Sequence, residues 1–195
     1  MSEALRTIAI LRGFDPARTC QIAEQAWSAG IDLVEVPVQD QAGWKSLEAV
    51  AAVQGRGRLG IGTVLHVEDV ARAAELGCSV VISPGLDPAV LEASLAAGLV
   101  PLPGVFTASE VALAVRLGLD TVKLFPASTG GPSHLKALRG PFPSICFIAV
   151  GGVDAENAAQ YVRAGAAGVA FGSSIEGLMA SPDPATAIRS LHRML

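Results

Sequence analysis

The sequence predicts one α/β domain folded as a closed (β/α)8 barrel, and three observations lead to this prediction. The chain has 195 residues, which one hydrophobic core can accommodate, so residues 1–195 are expected to form a single domain. Its composition is 51% hydrophobic with 21 glycines and 12 prolines, which is typical of buried elements joined by many short turns. Short β-branched runs also alternate regularly with Ala-rich stretches of helical period.

Strands and helices are predicted in strict alternation. The predicted strands are Thr7–Arg12, Leu33–Val38, Leu59–Gly62, Val80–Ser83, Val100–Pro103, Thr121–Leu124, Ile145–Val150 and Gly168–Gly172. The predicted helices are Pro16–Ser28, Trp44–Gln54, Val67–Leu76, Pro88–Ala97, Ala108–Leu117, Ser133–Leu138, Ala155–Ala164 and Pro184–Met194. Three helices begin with an Asp-Pro pair, in which a capping carboxylate precedes a proline at the first helical position.

Alternation of this kind requires parallel strands joined by right-handed crossovers. Two architectures satisfy it, a closed eight-stranded barrel and an open doubly wound sheet. The count of eight strands favours the closed TIM barrel, with short loops and no inserted domain.

Composition argues against several classes of function. The net charge of −4 comes without a basic block, so nucleic acid is not an expected partner. The three cysteines and three histidines show no metal-ligand spacing, and neither a metal nor a cofactor is expected. Met1–Arg6 lacks an apolar secretory core and no apolar run is long enough to span a bilayer, which predicts a cytoplasmic protein without membrane contact.

The active site of a TIM barrel lies at the C-terminal ends of its strands, so polar residues there are the functional candidates. Reading the predicted strand ends gives Arg12, Glu35, Thr63, Ser83, Lys123, Gly151–Gly152 and Gly172–Ser174. We expect these residues to converge on one mouth.

Lys123 and Glu35 are the charged residues inside predicted apolar strands. Burial disfavours the ammonium form of a lysine and leaves a neutral amine that can attack a ketone, and a neighbouring carboxylate can shuttle protons. The structural alternative is that Lys123 is an interior lysine and Glu35 is simply its counterion. The two interpretations are compatible, because such a pair also holds an acid and a base in place.

Glycine-rich segments follow the seventh and eighth predicted strands. Gly151–Gly152 and Gly172-Ser173-Ser174 offer unhindered backbone N–H groups at the position where these barrels commonly bind phosphate. Each segment alone is equally consistent with a tight turn. Their joint placement favours a phosphate site.

The sequence resembles the 2-keto-3-deoxy-6-phosphogluconate / 2-keto-3-deoxy-6-phosphogalactonate aldolase family from Ile8 to about Gly177. The matching segments are Ile8–Gly13, Val34–Pro37, Gly62–Leu65, Ile82–Gly85, Pro103–Val105, Lys123–Pro126 and Val150–Val153. The resemblance implies that Lys123 is the Schiff-base lysine and Glu35 the general acid/base. It places Thr63 and Pro84 at the pyruvate end of the pocket, with Phe125 also against the substrate. Gly151, Gly152, Gly172, Ser173 and Ser174 fall in its phosphate-binding segments.

The resemblance also implies a class I aldolase that uses no metal or cofactor, acts on a phosphorylated keto acid to give pyruvate, and assembles as a homotrimer. Two departures bear on the substrate. Many gluconate-type members carry arginine where this chain has Gln39, and Arg12 is the candidate to supply the missing positive charge, unless it only caps a strand at the surface. Val150 stands where those members often have threonine, which favours the galactonate branch.

Two alternative functions remain open at this point. One is a 4-hydroxy-2-oxoglutarate aldolase that uses the same lysine chemistry without a substrate phosphate. The other is a catalytically silent barrel that binds a phosphorylated metabolite.

Overall fold

The structure, a computed structural model, describes residues 5–53, 55 and 57–195. The strands within these ranges are β1 (Thr7–Ile10), β2 (Leu33–Pro37), β3 (Arg58–Gly62), β4 (Val80–Ile82), β5 (Val100–Leu102), β6 (Gly104–Val105), β7 (Thr121–Leu124), β8 (Cys146–Val150) and β9 (Gly168–Phe171). The helices are α1 (Pro16–Ser28), α2 (Gln41–Val53), α3 (Glu68–Glu75), α4 (Pro88–Ala96), α5 (Ala108–Arg116), α6 (Ala127–Arg139), α7 (Ala158–Arg163), α8 (Ile175–Met179) and α9 (Pro184–Met194).

The sheet confirms the predicted barrel. All strand pairs are parallel, and the order is β5-β4-β3-β2-β1-β9-β8-β7-β6. In this order β1 and β9, the first and last strands along the chain, are neighbours, and Ile8 of β1 lies opposite Ala170 of β9. Helices occupy the connections, as strictly parallel strands require.

The fifth barrel strand, predicted as Val100–Pro103, consists of two segments in the structure. β5 pairs with β4 and β6 pairs with β7, so consecutive halves of one strand face different neighbours. At the break, the Lys123 N–H donates to the Pro103 carbonyl at 2.9 Å, and the Gly104 N–H donates to the Ser83 carbonyl at 3.1 Å. Because Pro103 has no N–H group, the regular ladder is interrupted there.

The predicted Asp-Pro helix starts are confirmed. Asp15 accepts a hydrogen bond from the Arg18 N–H at 3.0 Å, and Asp183 accepts one from the Thr186 N–H at 2.9 Å. α1 and α9 have the predicted bounds at both ends. Asp87 caps α4 through the Ala89 N–H in the same way.

Two helical regions differ most from the prediction, although α2 also begins at Gln41 rather than Trp44 and α7 spans Ala158–Arg163 rather than Ala155–Ala164. α6 begins at Ala127 rather than Ser133, and its two helical parts meet at Gly131, which has φ 65° and ψ −176°. The five-residue helix α8 was not predicted. Gln54, the last residue of the predicted second helix, lies outside the described residues.

Apolar side chains form two layers. Inside the barrel lie Ile8, Ile10, Leu33, Val80, Ile82, Leu102, Ile148, Val150 and Ala170, and a larger cluster fills the space between the strands and the helices. The strand register places Glu35 beside Ile10 and Lys123 beside Ile148. Both charged residues are therefore aligned with the interior layer, as the period of two along a strand requires. No helix in the described part of the chain is long and apolar enough to cross a membrane.

Candidate active site

A cavity of about 340 Å³ opens at the C-terminal ends of the strands. It is lined by Ile10, Arg12, Phe14, Glu35, Lys123, Phe125, Val150, Gly151, Gly152, Gly172 and Ser173. These residues come from the ends of β1, β2, β7, β8 and β9 and from the segments that follow them. The strand ends converge on one concave, mainly apolar site with a few polar groups, which is the usual form of a small-molecule site.

Lys123 projects into this cavity from the middle of a buried strand. Its side chain is buried, with only 6% of the residue exposed, and its Nζ lies 4.7 Å from the centroid of the Phe125 ring. Burial lowers the pKa of the Lys123 ammonium from its ordinary value of 10.5, and the Arg12 charge lowers it further, while Glu35 acts in the opposite direction. The lowered pKa increases the fraction of Lys123 that is present as the neutral, nucleophilic amine.

Glu35 shares the cavity and is 2% exposed. Burial raises the pKa of its carboxyl, although Lys123 and Arg12 both act to lower it. The carboxyl group fits because the neighbouring strand carries a glycine: a Cβ atom on Gly62 would lie 2.1 Å from Glu35 Oε1. A carboxyl with a raised pKa can both give and accept a proton near neutral pH.

Lys123 and Glu35 are close enough to influence each other's pKa but are not joined by a direct salt bridge. Within the described ranges, every fully buried side-chain nitrogen or oxygen has a hydrogen-bond partner. Lys123 and Glu35 both line the cavity. A substrate atom or a water molecule between them would be within reach of a nucleophile and an acid/base at once.

Arg12 lies at the rim of the cavity and is exposed. Its Nη1 donates to Gln39 Oε1 at 2.9 Å, and its Nη2 donates to Thr63 Oγ1 at 3.4 Å. Its positive charge lowers the pKa of both Glu35 and Lys123. The predicted cation therefore lies beside the predicted catalytic pair.

Both glycine segments border the cavity, through Gly151, Gly152, Gly172 and Ser173. Gly151 and Gly152 have φ values of 98° and 72°, and a Cβ atom on Gly152 would lie 2.5 Å from the Ser128 Cβ. A side chain there would be strained and would clash with Ser128 of α6, so this position requires glycine. Ser174 Oγ donates to the Val153 carbonyl at 2.7 Å and thereby joins the two segments.

Ser83, which was expected at the mouth, is buried outside the cavity lining and donates its hydroxyl to the Gly85 carbonyl at 2.7 Å. Three further predicted site residues are not in the lining of this cavity. Thr63 contacts Arg12 from the side and adopts φ 59°, a left-handed conformation that is unusual for a residue with a β-branch. Pro84 is half-buried, with its carbonyl oxygen against Gly104. Ser174 uses its hydroxyl to hold the neighbouring segment. These three residues surround the lining rather than form it.

Ile10 and Phe14 line the cavity but were not among the predicted site residues, and the fit of Glu35 against Gly62 was not predicted either. Ile10 gives no signal in the sequence because it resembles any core residue. Phe14 follows the predicted strand end Arg12–Gly13, so its position beside a turn glycine is the one available indication. In the described part of the chain, no group of three or more His, Cys, Asp or Glu residues is arranged to hold a metal ion.

The family model of the KDPG and KHG aldolases matches residues 1–185. The chain belongs to this family. One relative is the 2-dehydro-3-deoxy-6-phosphogalactonate aldolase of Escherichia coli (strain K12). It is 37% identical to this chain, over 88% of this chain and 84% of its own length. The 2-dehydro-3-deoxy-phosphogluconate aldolase of Pseudomonas aeruginosa is also 37% identical, over 72% of this chain and 64% of its own length.

Solved structures show the same fold. A structure of native KDPGal is 34% identical, has a TM-score of 0.87 and covers 99% of this chain and 98% of that one. KDPG aldolase from Legionella pneumophila, with pyruvate captured as a covalent carbinolamine, is 27% identical with a TM-score of 0.79, over 98% of this chain and 91% of that one. The KDPG/KHG aldolase barrel is therefore the fold of this protein.

Proposed function

We propose that this protein is a class I aldolase that cleaves a 2-keto-3-deoxy-6-phospho sugar acid to pyruvate and glyceraldehyde 3-phosphate. The observation that carries the proposal is the buried amine of Lys123, with its pKa lowered, in one cavity with the carboxyl of Glu35. Family membership gives this pair its chemistry, because relatives carry aldolase names and one of them holds pyruvate as a carbinolamine.

The reaction begins when neutral Lys123 attacks the C2 ketone, and Glu35 gives its proton to the carbinolamine hydroxyl, which leaves as water and yields a protonated imine. Glu35, directly or through a water molecule, accepts the proton of the C4 hydroxyl while the C3–C4 bond breaks. The electron pair of that bond moves into the imine and forms an enamine. Glyceraldehyde 3-phosphate leaves, and C3 of the enamine gains the proton that Glu35 took up. Water then hydrolyses the imine, which releases pyruvate, restores the lysine amine and returns a proton to Glu35.

Arg12 is proposed to bind the substrate carboxylate, and the Gly151–Gly152 and Gly172–Ser174 segments are proposed to bind the phosphate with backbone N–H groups. Thr63, Pro84 and Phe125 are proposed to shape the pyruvate end. Phe125 has the most direct support, since its ring lies next to Lys123 Nζ. The reaction needs no cofactor in this scheme.

The phosphogalactonate substrate is favoured over its C4 epimer. Val150 lines the cavity and presents no hydroxyl to the substrate, and the phosphogalactonate enzyme matches more of this chain than the phosphogluconate enzyme does. The test is to assay the purified protein with both C4 epimers while pyruvate is coupled to lactate dehydrogenase. A higher kcat/KM for the phosphogluconate epimer would overturn the substrate assignment but leave the lyase chemistry intact.

A 4-hydroxy-2-oxoglutarate aldolase is the second candidate, and one observation favours it. The two glycine segments that border the cavity contain no lysine or arginine, so no charged side chain in them selects for a phosphate. Comparison of kcat/KM for phosphorylated and unphosphorylated keto acids separates the two activities. A catalytically silent barrel is disfavoured because both Lys123 and Glu35 are present and face the cavity.

Assembly and location are parts of the same proposal. The family resemblance supports a homotrimer, and exposed apolar residues on successive outer helices offer contact surface, with Leu95 of α4 58% exposed and Val115 of α5 44% exposed. Light scattering after size-exclusion chromatography tests the trimer.

A phosphorylated substrate does not cross a bilayer unaided, which supports a cytoplasmic site of action.

A further inference from the structure

The guanidinium of Arg12 is held by two neutral side chains from adjacent loops. Gln39, after β2, accepts from Nη1 at 2.9 Å, and Thr63, after β3, accepts from Nη2 at 3.4 Å. A guanidinium has five N–H groups, so these two contacts leave three donors for another acceptor. Arg12 is therefore anchored without being saturated.

Gln39 makes its contact from outside the cavity that contains Lys123. It lines a neighbouring cavity of about 400 Å³ between the loops that follow β1 and β2, and Arg12 and Phe14 line both cavities. An exposed arginine has many rotamers, and a second open space beside it increases the number that fit. The Gln39 contact favours a guanidinium position from which its charge reaches both Lys123 and Glu35.

The neutrality of Gln39 also matters. A carboxylate at this position would accept the same hydrogen bond but would form an ion pair with Arg12 and compete with an incoming anion. An amide oxygen orients the guanidinium and leaves its positive charge available. Asp40, the adjacent acid, accepts instead from the Gly43 N–H at 2.9 Å.

We infer that Gln39 is a positioning residue for carboxylate recognition: its amide oxygen holds the Arg12 guanidinium at the cavity rim in the orientation that receives the substrate carboxylate. This inference rests on the proposed Schiff-base function. Gln39 does not touch the substrate in this arrangement. It reduces the number of Arg12 conformations that the bound carboxylate would otherwise have to exclude.

The test uses the full-length protein and borohydride trapping of pyruvate at Lys123, measured as adduct against pyruvate concentration. Gln39→Met keeps the length of the side chain and removes the acceptor. We expect it to raise the half-saturating pyruvate concentration about five- to tenfold, the scale of one ordinary intramolecular hydrogen bond, because Gln39 acts through Arg12 and not on pyruvate itself, with the same amount of adduct at saturation. Gln39→Glu keeps the acceptor and adds a charge, and we expect an increase at least as large.

The matched control is Gln41→Met, which changes an exposed glutamine two residues along the chain. Acetone, a ketone without a carboxylate, provides a second control and should give equal trapping in all variants. Failure of pyruvate trapping in the unsubstituted protein overturns the proposed function and this inference with it. Normal half-saturation in Gln39→Met, an equal defect in Gln41→Met, or an equal defect with acetone overturns the inference alone.

Discussion

The Glu35 carboxyl occupies the space where a side chain on Gly62 would lie, since a Cβ atom at residue 62 would be 2.1 Å from Oε1. Gly62→Ala must therefore displace the carboxyl of Glu35. We expect kcat/KM for aldol cleavage to fall by about 100-fold or more, the lower range for loss of a positioned acid/base. Steady-state kinetics measures this change, and far-UV circular dichroism shows whether the barrel remains folded.

Gly177→Ala is the matched control for that substitution. A Cβ atom on Gly177 would meet nothing within 4 Å, and the residue lies inside α8. Alanine is favoured over glycine in a helix, so stability should be unchanged or slightly higher. A similar loss of activity in both variants would show that the effect is not specific to Glu35.

Lys123 should carry the covalent intermediate. Treatment with pyruvate and borohydride should add the reduced pyruvate adduct to the peptide that contains Lys123, and Lys123→Met should abolish both the adduct and turnover. Lys45 and Lys136 are exposed lysines that serve as internal controls. An adduct located by mass spectrometry on either of them, with Lys123 unmodified, would make the assignment wrong.

The pH midpoint of pyruvate trapping at Lys123 should shift in opposite directions in the variants Glu35→Gln and Arg12→Ala. Trapping requires the neutral amine, so its rate rises with pH through the Lys123 pKa, which lies below the ordinary 10.5. Glu35 raises that pKa and Arg12 lowers it. Glu35→Gln should therefore move the midpoint to lower pH, and Arg12→Ala should move it to higher pH. Shifts of the same sign, measured from trapping rates at a series of pH values, would contradict this electrostatic arrangement.

Arg12→Ala should also weaken carboxylate binding. We expect a loss of transition-state binding of roughly 1.5–3 kcal/mol, the scale of a lost hydrogen bond to a charged group. Pyruvate trapping should be impaired as well, because pyruvate keeps the carboxylate and lacks the phosphate. If Arg12→Ala spares pyruvate trapping and affects only phosphorylated substrates, Arg12 serves the phosphate end instead.

Activity should survive exhaustive chelation. The described residues bring no group of three or more His, Cys, Asp or Glu side chains together, and the proposed chemistry uses the imine of Lys123 as its electron sink. The measurement is turnover before and after treatment with EDTA, followed by addition of divalent ions. Loss of activity that a divalent ion restores would favour a metal-dependent aldolase.

The strands and the capped helices were predictable because their signals are local. Leu33–Val38 and Thr121–Leu124 were predicted as buried strands, and the structure has them as Leu33–Pro37 and Thr121–Leu124. The Asp-Pro pairs predicted the starts of α1 and α9. α6 was predicted too short because Gly130-Gly131-Pro132 reads as a break, whereas the helical turns continue on both sides of Gly131. α8 has only five residues, too few for a helical period to be recognised.

The candidate site was predictable where a strand end carries a charge in an apolar run, as at Lys123 and Glu35. The fit between Glu35 and Gly62 was not, because it depends on the register between two strands. The contact between Arg12 and Gln39 likewise depends on the packing of two loops. Sequence patterns give the identity of such residues, but their distances arise only when the barrel closes.

The split fifth strand bears on how the protein behaves at high concentration. In an open sheet the outermost strands expose unpaired N–H and C=O groups that can pair with a second molecule and promote aggregation. Here the two outermost segments, β5 and β6, are consecutive in the chain, and the peptide groups of Pro103 and Gly104 bond to β7 and to the residue after β4. In the described part of the chain, this connection closes the gap at which intermolecular strand addition would otherwise begin.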